Sequence, residues 1–136
     1  MSDCIFCSIV AGDAPTQIVD SDEHTVSFMD INPATRGHAL VIPRTHAKDL
    51  MEISDADLSH TIIAARRLCA RMETALEPDG FNLINACRPA AWQTVFHYHV
   101  HVIPRYLDDP LKLPWIPRGK DMDEITRVAD LIRAES

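Results

Sequence analysis

The sequence predicts an α+β domain with a mainly antiparallel sheet, and three observations carry that reading. Short runs rich in β-branched residues dominate the middle of the chain. One long stripe of apolar residues at helical spacing lies between two of those runs. No repeat, low-complexity tract or convincing linker divides the 136 residues. A chain of this length builds one core and is short for two. Residues 1–136 therefore read as a single domain, with about 107–136 as a C-terminal extension packed on it.

The elements follow in order. Met1-Ser2-Asp3-Cys4 lacks the basic and apolar regions of a secretory signal, and no apolar run approaches the ~20 residues of a membrane span. A cytoplasmic protein is expected, whose four cysteines serve metal or redox chemistry more readily than a disulfide framework. The extreme terminus that carries Cys4-x-x-Cys7 is prone to disorder unless something holds it down. Thr25 to Met29 and Ala39 to Ile42 read as strands, separated by the turn formers Asp30-Ile31-Asn32-Pro33 and Arg36-Gly37.

Ser54 to Leu76 predicts the long helix. Ser54 is its N-cap with Asp57 three residues on, and Leu58, Ile62, Ala65, Leu68, Cys69, Met72 and Leu76 form the apolar stripe. Glu77-Pro78-Asp79-Gly80 stops it, and Phe81 to Asn85 is the next strand. Thr94 to Ile103 is a further strand, stopped by Pro104. Asp108 to Gly119 holds three prolines and Trp115, so it is extended and packed. Asp121 to Ala134 is a shorter helix with Ile125, Val128 and Leu131 or Ile132 turned inward.

The formal net charge of −7 excludes loose, salt-driven binding to nucleic acid, which needs a basic face. It does not exclude a small phosphate ligand held at a locally cationic site. The segment that speaks to such a ligand is Thr94 to Ile103. On a strand, Phe96, Tyr98, Val100 and Val102 would cover the core, while Val95, His97, His99, His101 and Ile103 line the other face. Three imidazoles would stand in a row with neighbouring Cα atoms ~6.6 Å apart. Three readings remain open: solvent-facing surface histidines, a three-histidine metal site, or a nucleophile flanked by assistants. The metal reading is strained, because about 13 Å separates the first and third rungs of such a row.

His97-Tyr98-His99-Val100-His101-Val102-Ile103 resembles the signature of the histidine-triad family: His, apolar, His, apolar, His and two apolar residues. Cys4-Ile5-Phe6-Cys7, Phe28-Met29-Asp30-Ile31-Asn32-Pro33, Gly37-His38-Ala39-Leu40-Val41-Ile42-Pro43 and Gln93-Thr94-Val95-Phe96 resemble family segments in the family's order, together covering about residues 3–106. The resemblance implies a histidine-triad-like fold of about five strands with one long and one short helix. It also implies hydrolysis at the α-phosphorus of a purine nucleoside 5′-phosphate derivative through a nucleotidyl-histidine.

In that reading His99 is the nucleophile, a role that neutral imidazole suits. His101 touches the α-phosphate and assists the leaving group, stabilising charge there as an imidazolium. A histidine at this place favours hydrolysis over transfer to a sugar phosphate, because the related transferases carry glutamine there. His38 buttresses the triad. Gln93 and Thr94 hold the scissile phosphate, with strand parity placing Gln93 on the histidine face. Asp30 accepts from the ribose hydroxyls, against the plainer reading of a turn former. Phe6, Phe28 and Ile31 form the base pocket, and Asn85 positions ribose or phosphate.

Cys4-x-x-Cys7 has the spacing of half a zinc site. The rival is a redox pair, which normally follows a strand and opens a helix. The resemblance implies His46 and His97 as the remaining ligands of a structural zinc. It also implies a homodimer through the long helix and a sheet edge.

The loop Asn85-Ala86-Cys87-Arg88-Pro89-Ala90-Ala91-Trp92-Gln93 departs from the family pattern, with larger residues at both glycine positions. Arg88 could pair with an anionic substrate tail or face solvent. Two substrate classes compete. The Cys pair and the Leu113-Pro114-Trp115 tail lean towards nucleoside phosphoramidates and aminoacyl-adenylates over dinucleoside polyphosphates. A nucleotide-binding module with incidental turnover and a metallohydrolase are the other readings. His24 and His60 read as surface, Cys69 as core, and Cys87 has no role.

Overall fold

The computed structural model describes residues 3–112, 117, 119 and 121–135, so the expectation placed on Leu113, Pro114 and Trp115 lies outside the described residues. The elements are α1 (Ile5–Ala11), β1 (Ile18–Ser21), β2 (Thr25–Met29), β3 (Ala39–Pro43), α2 (Asp55–Leu76), β4 (Gly80–Ile84), a 3-10 turn (Pro89–Ala91), β5 (Val100–Arg105) and α3 (Met122–Arg133). The strands form one sheet in the order β1-β2-β3-β5-β4, every neighbouring pair antiparallel. This is the predicted α+β class.

The β1–β2 hairpin closes on Asp22, whose Oδ1 accepts from the amides of His24 and Thr25 at 2.7 Å each. β2 then pairs with β3 from Thr25↔Pro43 to Met29↔Ala39. β3 is buried along its whole length because both sheet faces are covered. Leu40 and Ile42 join Val26, Phe28, Phe6 and Ile9 on one face. Ala39 and Val41 join Tyr98, Val100 and Val102 against Ala64, Ala65, Leu68 and Met72 of α2 on the other. Alternation along a strand dictates that split.

α2 begins as predicted, with Ser54 Oγ accepting from the Asp57 amide at 3.1 Å. Its buried face is Thr61, Ala64, Ala65, Leu68 and Met72, so Ile62 is off the stripe and 48% exposed. The small side chains let the helix lie close to the sheet, and that approach overrides the larger apolar residues beside them.

Two elements lie outside the sequence reading, and further expectations fail. α1 and β1 were not foreseen: Ile5-Phe6-Cys7-Ser8-Ile9-Val10 is short and rich in β-branched residues, and Ile18–Ser21 carries only two apolar residues. β5 begins at Val100, not Thr94. Residues before it leave the ladder, and the Tyr98 amide donates to Ala47 O at 2.7 Å instead. Phe96 therefore escapes strand parity and is exposed, not core. Pro104 does not stop β5. It pairs with Phe81 beyond the last rung with β3, where a missing N–H is tolerated as at an edge. Finally, Ile125, Val128, Leu131 and Ile132 of α3 are all exposed. Periodicity identifies an apolar face without supplying what covers it.

Candidate active site

A cavity of about 610 Å³ opens on the sheet face opposite α2. α1 contributes Ile5, Phe6 and Ile9, the end of β2 and the turn after it contribute Phe28 to Asn32, β3 and the turn before it contribute His38 and Leu40, the approach to β5 contributes Thr94, Val95 and His99, and β5 itself contributes His101. Its lining is mostly apolar, with Thr16, Asn32 and Thr94 as polar residues besides Asp30 and the histidines. Phe6 packs edge-on against Phe28 at 5.3 Å and against His99 at 5.2 Å between centroids.

Hydrogen bonds fix the tautomer of each imidazole. His99 Nδ1 lies 2.8 Å from its neighbour His97 O, a carbonyl that only accepts, so Nδ1 carries the proton and Nε2 keeps a lone pair. The Ala34 amide donates to His38 Nδ1 at 2.9 Å, which leaves the His38 proton on Nε2. That N–H donates to His101 Nδ1 at 2.9 Å, with Asp30 Oδ2 3.5 Å away, so His101 presents Nε2–H. A lone pair on His99 and a donor on His101 thus sit on adjacent rings, whose centroids are 5.1 Å apart.

Burial lowers the basicity of these groups. Desolvation pushes His99 below its ordinary value against the help of the His97 carbonyl, and pushes His38 down against nearby Asp30. His101 is pushed down to about 4 by desolvation first, then by repulsion from His99 and His38. The imidazolium expected at His101 is therefore absent without a ligand: the ring is neutral at pH 7.

Asp30, His38 and His101 also lie close enough to hold a metal ion. Their bonding argues otherwise. His38 Nδ1 already accepts from Ala34, so a metal on Nε2 would demand an imidazolate. The cluster is a donor chain.

A second cluster fits a metal well. Cys4 Sγ, Cys7 Sγ, His46 Nδ1 and His97 Nδ1 lie within 4.8 Å of one another. The sulfur–nitrogen separations are 3.4 Å for Cys4–His97, 3.3 Å for Cys7–His46 and 3.5 Å for Cys7–His97, and the two nitrogens are 3.2 Å apart. Tetrahedral zinc with Zn–N about 2.05 Å and Zn–S about 2.3 Å requires about 3.6 Å and about 3.3 Å respectively. His97 Nε2 donates to Pro43 O at 2.9 Å, which leaves Nδ1 unprotonated as a ligand must be. The four cysteines form no disulfide. The pair does open a helix, with Cys4 as N-cap of α1, yet no strand precedes it among the described residues.

Of the residues expected to bind nucleotide, Phe6, Phe28, Asp30, Ile31, Thr94, His99 and His101 line the cavity. Gln93 and Asn85 do not. Gln93 is buried and braces the loop: its Oε1 accepts from the Arg88 amide at 2.6 Å, and its Nε2 donates to Lys48 O and Val95 O. Asn85 Nδ2 donates to His99 O at 2.9 Å, so it holds the backbone of the central histidine. Asp30 serves both readings, since its Oδ1 accepts from the Asn32 amide at 2.7 Å in the turn. Ile5, Ile9 and Leu40 were missed. The first two become legible only once α1 is seen as a helix with one inward face. His24 and His60 stack on each other at 3.8 Å, away from the cavity.

Comparison with known proteins bears on this arrangement. The sequence profile described as HIT domain matches residues 11–108. Protein hit of Bacillus subtilis is 44% identical over 103 residues, 76% of this chain and 71% of that protein. A Zn-bound histidine triad family protein from Mycobacterium smegmatis superposes with a TM-score of 0.78 at 38% identity, covering 98% of both chains. The histidine triad nucleotide-binding protein from Candida albicans gives a TM-score of 0.87 at 29% identity, covering 98% of this chain and 96% of its own.

Proposed function

The chain belongs to the HIT-domain family, and from that premise we propose that it hydrolyses nucleoside 5′-phosphate derivatives at the α-phosphorus through a nucleotidyl-His99 intermediate. The observation that carries this reading is the His99 Nδ1 bond to His97 O, which leaves Nε2 as a lone pair in a cavity of nucleotide size.

The base lies among Ile5, Phe6, Ile9, Phe28 and Ile31, and the ribose hydroxyls donate to Asp30. The bound phosphoryl anion adds to the negative charge of Asp30, so His101 takes up a proton on Nδ1 as the His38 Nε2–H turns to Asp30 Oδ2, 3.5 Å away. His99 Nε2 attacks phosphorus, the bond to the leaving nitrogen or acyl oxygen breaks, and the leaving atom takes the His101 proton. Water then attacks phosphorus and gives a proton back to His101 as the phosphorus–nitrogen bond to His99 breaks. Net, one water converts the substrate into nucleoside monophosphate and the free amine or acid. Thr94 stands beside the phosphate, and His38 and Asn85 act on the histidines as positioning residues.

The residues lining the cavity include no lysine or arginine among the described residues. A polyphosphate tail calls for such cations, which supports a phosphoramidate or aminoacyl-adenylate substrate over a dinucleoside polyphosphate. The matching expectation is a kcat/KM for diadenosine tetraphosphate at least about tenfold below that for an adenosine phosphoramidate. Equal values would reverse the preference.

Zinc at Cys4, Cys7, His46 and His97 is structural in this reading, because four protein ligands leave no open position. Thiolate ligands suit a reducing compartment such as the cytoplasm. Among the described residues no helix is long and apolar enough to cross a membrane. A homodimer is supported by exposed Ile62 and Ile63 on α2 beside exposed Leu83 and Ile84 on the edge strand β4.

The deciding experiment incubates wild type and His99→Asn with an adenosine 5′-phosphoramidate of a fluorescent amine, with rapid quenching and peptide mass spectrometry. Wild type should release the amine and yield an adenylylated peptide spanning His99, while the variant loses about a thousandfold or more. Undiminished turnover by the variant rules the mechanism out.

A further inference from the structure

The metal clasp and the cavity share one small helix. α1 carries Cys4 as its N-cap and Cys7 in its first turn, and between them Phe6 lines the cavity. Phe6 packs edge-on against His97 at 5.9 Å and against His99 at 5.2 Å. Ile5 and Ile9 extend the same wall.

Besides the clasp, two buried side chains hold this helix. It has 7 residues, far fewer than the ~12–15 at which an isolated helix becomes even marginal in water. The hydrogen bonds of its backbone are local: Ser8 N to Cys4 O, Gly12 N to Ile9 O and Asp13 N to Ser8 O. Its buried side chains, Phe6 and Ile9, pack on Val26, Phe28, Leu40 and Ile42, with Val10 partly buried beside them. Among the described residues, its side-chain polar contacts with the rest of the fold run from the Cys4 and Cys7 sulfurs to His97 and His46. The triad tautomers, by contrast, are set by Pro43 O, His97 O and the Ala34 amide, none of which belongs to α1.

We infer that metal occupancy of Cys4, Cys7, His46 and His97 sets nucleotide affinity, by ordering α1 as the wall of the nucleotide pocket. This inference rests on the nucleotide-binding reading above. Without metal, α1 undocks while the sheet and the histidine bonds persist. Linkage is reciprocal, so nucleotide must strengthen metal retention by the same factor that metal strengthens nucleotide binding. Binding of AMP alone reports the effect, without turnover.

Zinc-loaded full-length protein is titrated with AMP by calorimetry before and after chelation. Zinc transfer to a chromogenic chelator is then followed with and without saturating AMP. AMP affinity should fall about tenfold on metal removal, and AMP should lower the extent of zinc transfer at equilibrium by a similar factor. Amide exchange after chelation should rise at residues 5–11 while β2, β3 and β5 stay protected. Cys7→Ser, which removes one ligand outside the cavity, should reproduce the weakened AMP binding. Equal AMP affinity with and without zinc, or zinc transfer indifferent to bound AMP, overturns the coupling. Loss of protection across the whole sheet on chelation overturns its local character. Failure of the zinc-loaded protein to bind AMP at all would instead refute the nucleotide-binding reading.

Discussion

Burial leaves His101 neutral at pH 7, with its pKa pushed down to about 4, and this fixes the sign of a measurable proton exchange. A phosphoryl anion raises that value, so AMP binding should take up protons near pH 7, where AMP itself, with a second phosphate pKa of about 6, brings few of its own. Calorimetry in buffers of different ionisation enthalpy reads the number directly, and an enthalpy independent of buffer would remove His101 as proton donor. The same burial has a folding consequence. His38 and His101 bind protons less readily folded than unfolded, so stability is fully present above about pH 6.5 and is lost as pH falls through the folded values. Each contributes a slope of up to about 1.4 kcal/mol per pH unit. Urea midpoints measured between pH 7 and pH 5 should fall, and a flat profile would mean that these rings are hydrated. The histidines were legible because three of them alternate with apolar residues, a pattern that random placement rarely gives. The place of Gln93 was not. Strand parity put it among the triad, but the loop before β5 abandons the pleat and turns its amide back on the Arg88 and Lys48 backbone.

Among the elements, the turn into β3 is the most exacting. Gly37 has φ +94°, and a Cβ there would lie 2.5 Å from Leu76 Cδ1 and 3.0 Å from Pro104 Cγ. Gly37→Ala should therefore cost about 1–2 kcal/mol in urea denaturation from the backbone conformation alone. It should also lower turnover by displacing His38, whose Nε2 holds His101. An unchanged midpoint would mean that the turn relaxes freely. α2, β2 and β3 were legible to within a residue or so because a cap, an unbroken period and turn formers agree there. α1 was not, because the residues it packs and bonds against, from Val26 and Leu40 to His46 and His97, lie outside any local window. β5 was placed correctly in kind but begins late, since its approach bonds to Ala47 and not to a neighbouring strand.

At the scale of the whole molecule, one surface is ill suited to water. β4 closes the sheet on one side, and its Leu83 and Ile84 are exposed. Ile63 of α2 and Leu83 line a common hollow with Ile62, Arg66, Cys69 and Phe81. An unpaired edge strand beside a contiguous apolar patch either aggregates or is covered. The overall charge of −7 keeps molecules apart in general but places no charge on the exposed side chains of that edge except near Arg66. A two-fold pairing covers both features at once, because the same patch meets itself and the edges of two β4 strands can continue the sheet. Light scattering on the intact chain should then give about twice the 15.2 kDa of one chain. Ile63→Glu combined with Leu83→Glu introduces four charges into such an interface and none into the core, since both residues are exposed in the single chain. The variant should retain the far-UV spectrum and the AMP affinity of wild type while its mass falls to that of one chain. A monomeric wild type would assign the patch to some other partner. A doubly substituted protein that stays dimeric would move the interface elsewhere, with the exposed face of α3 as the next surface to substitute.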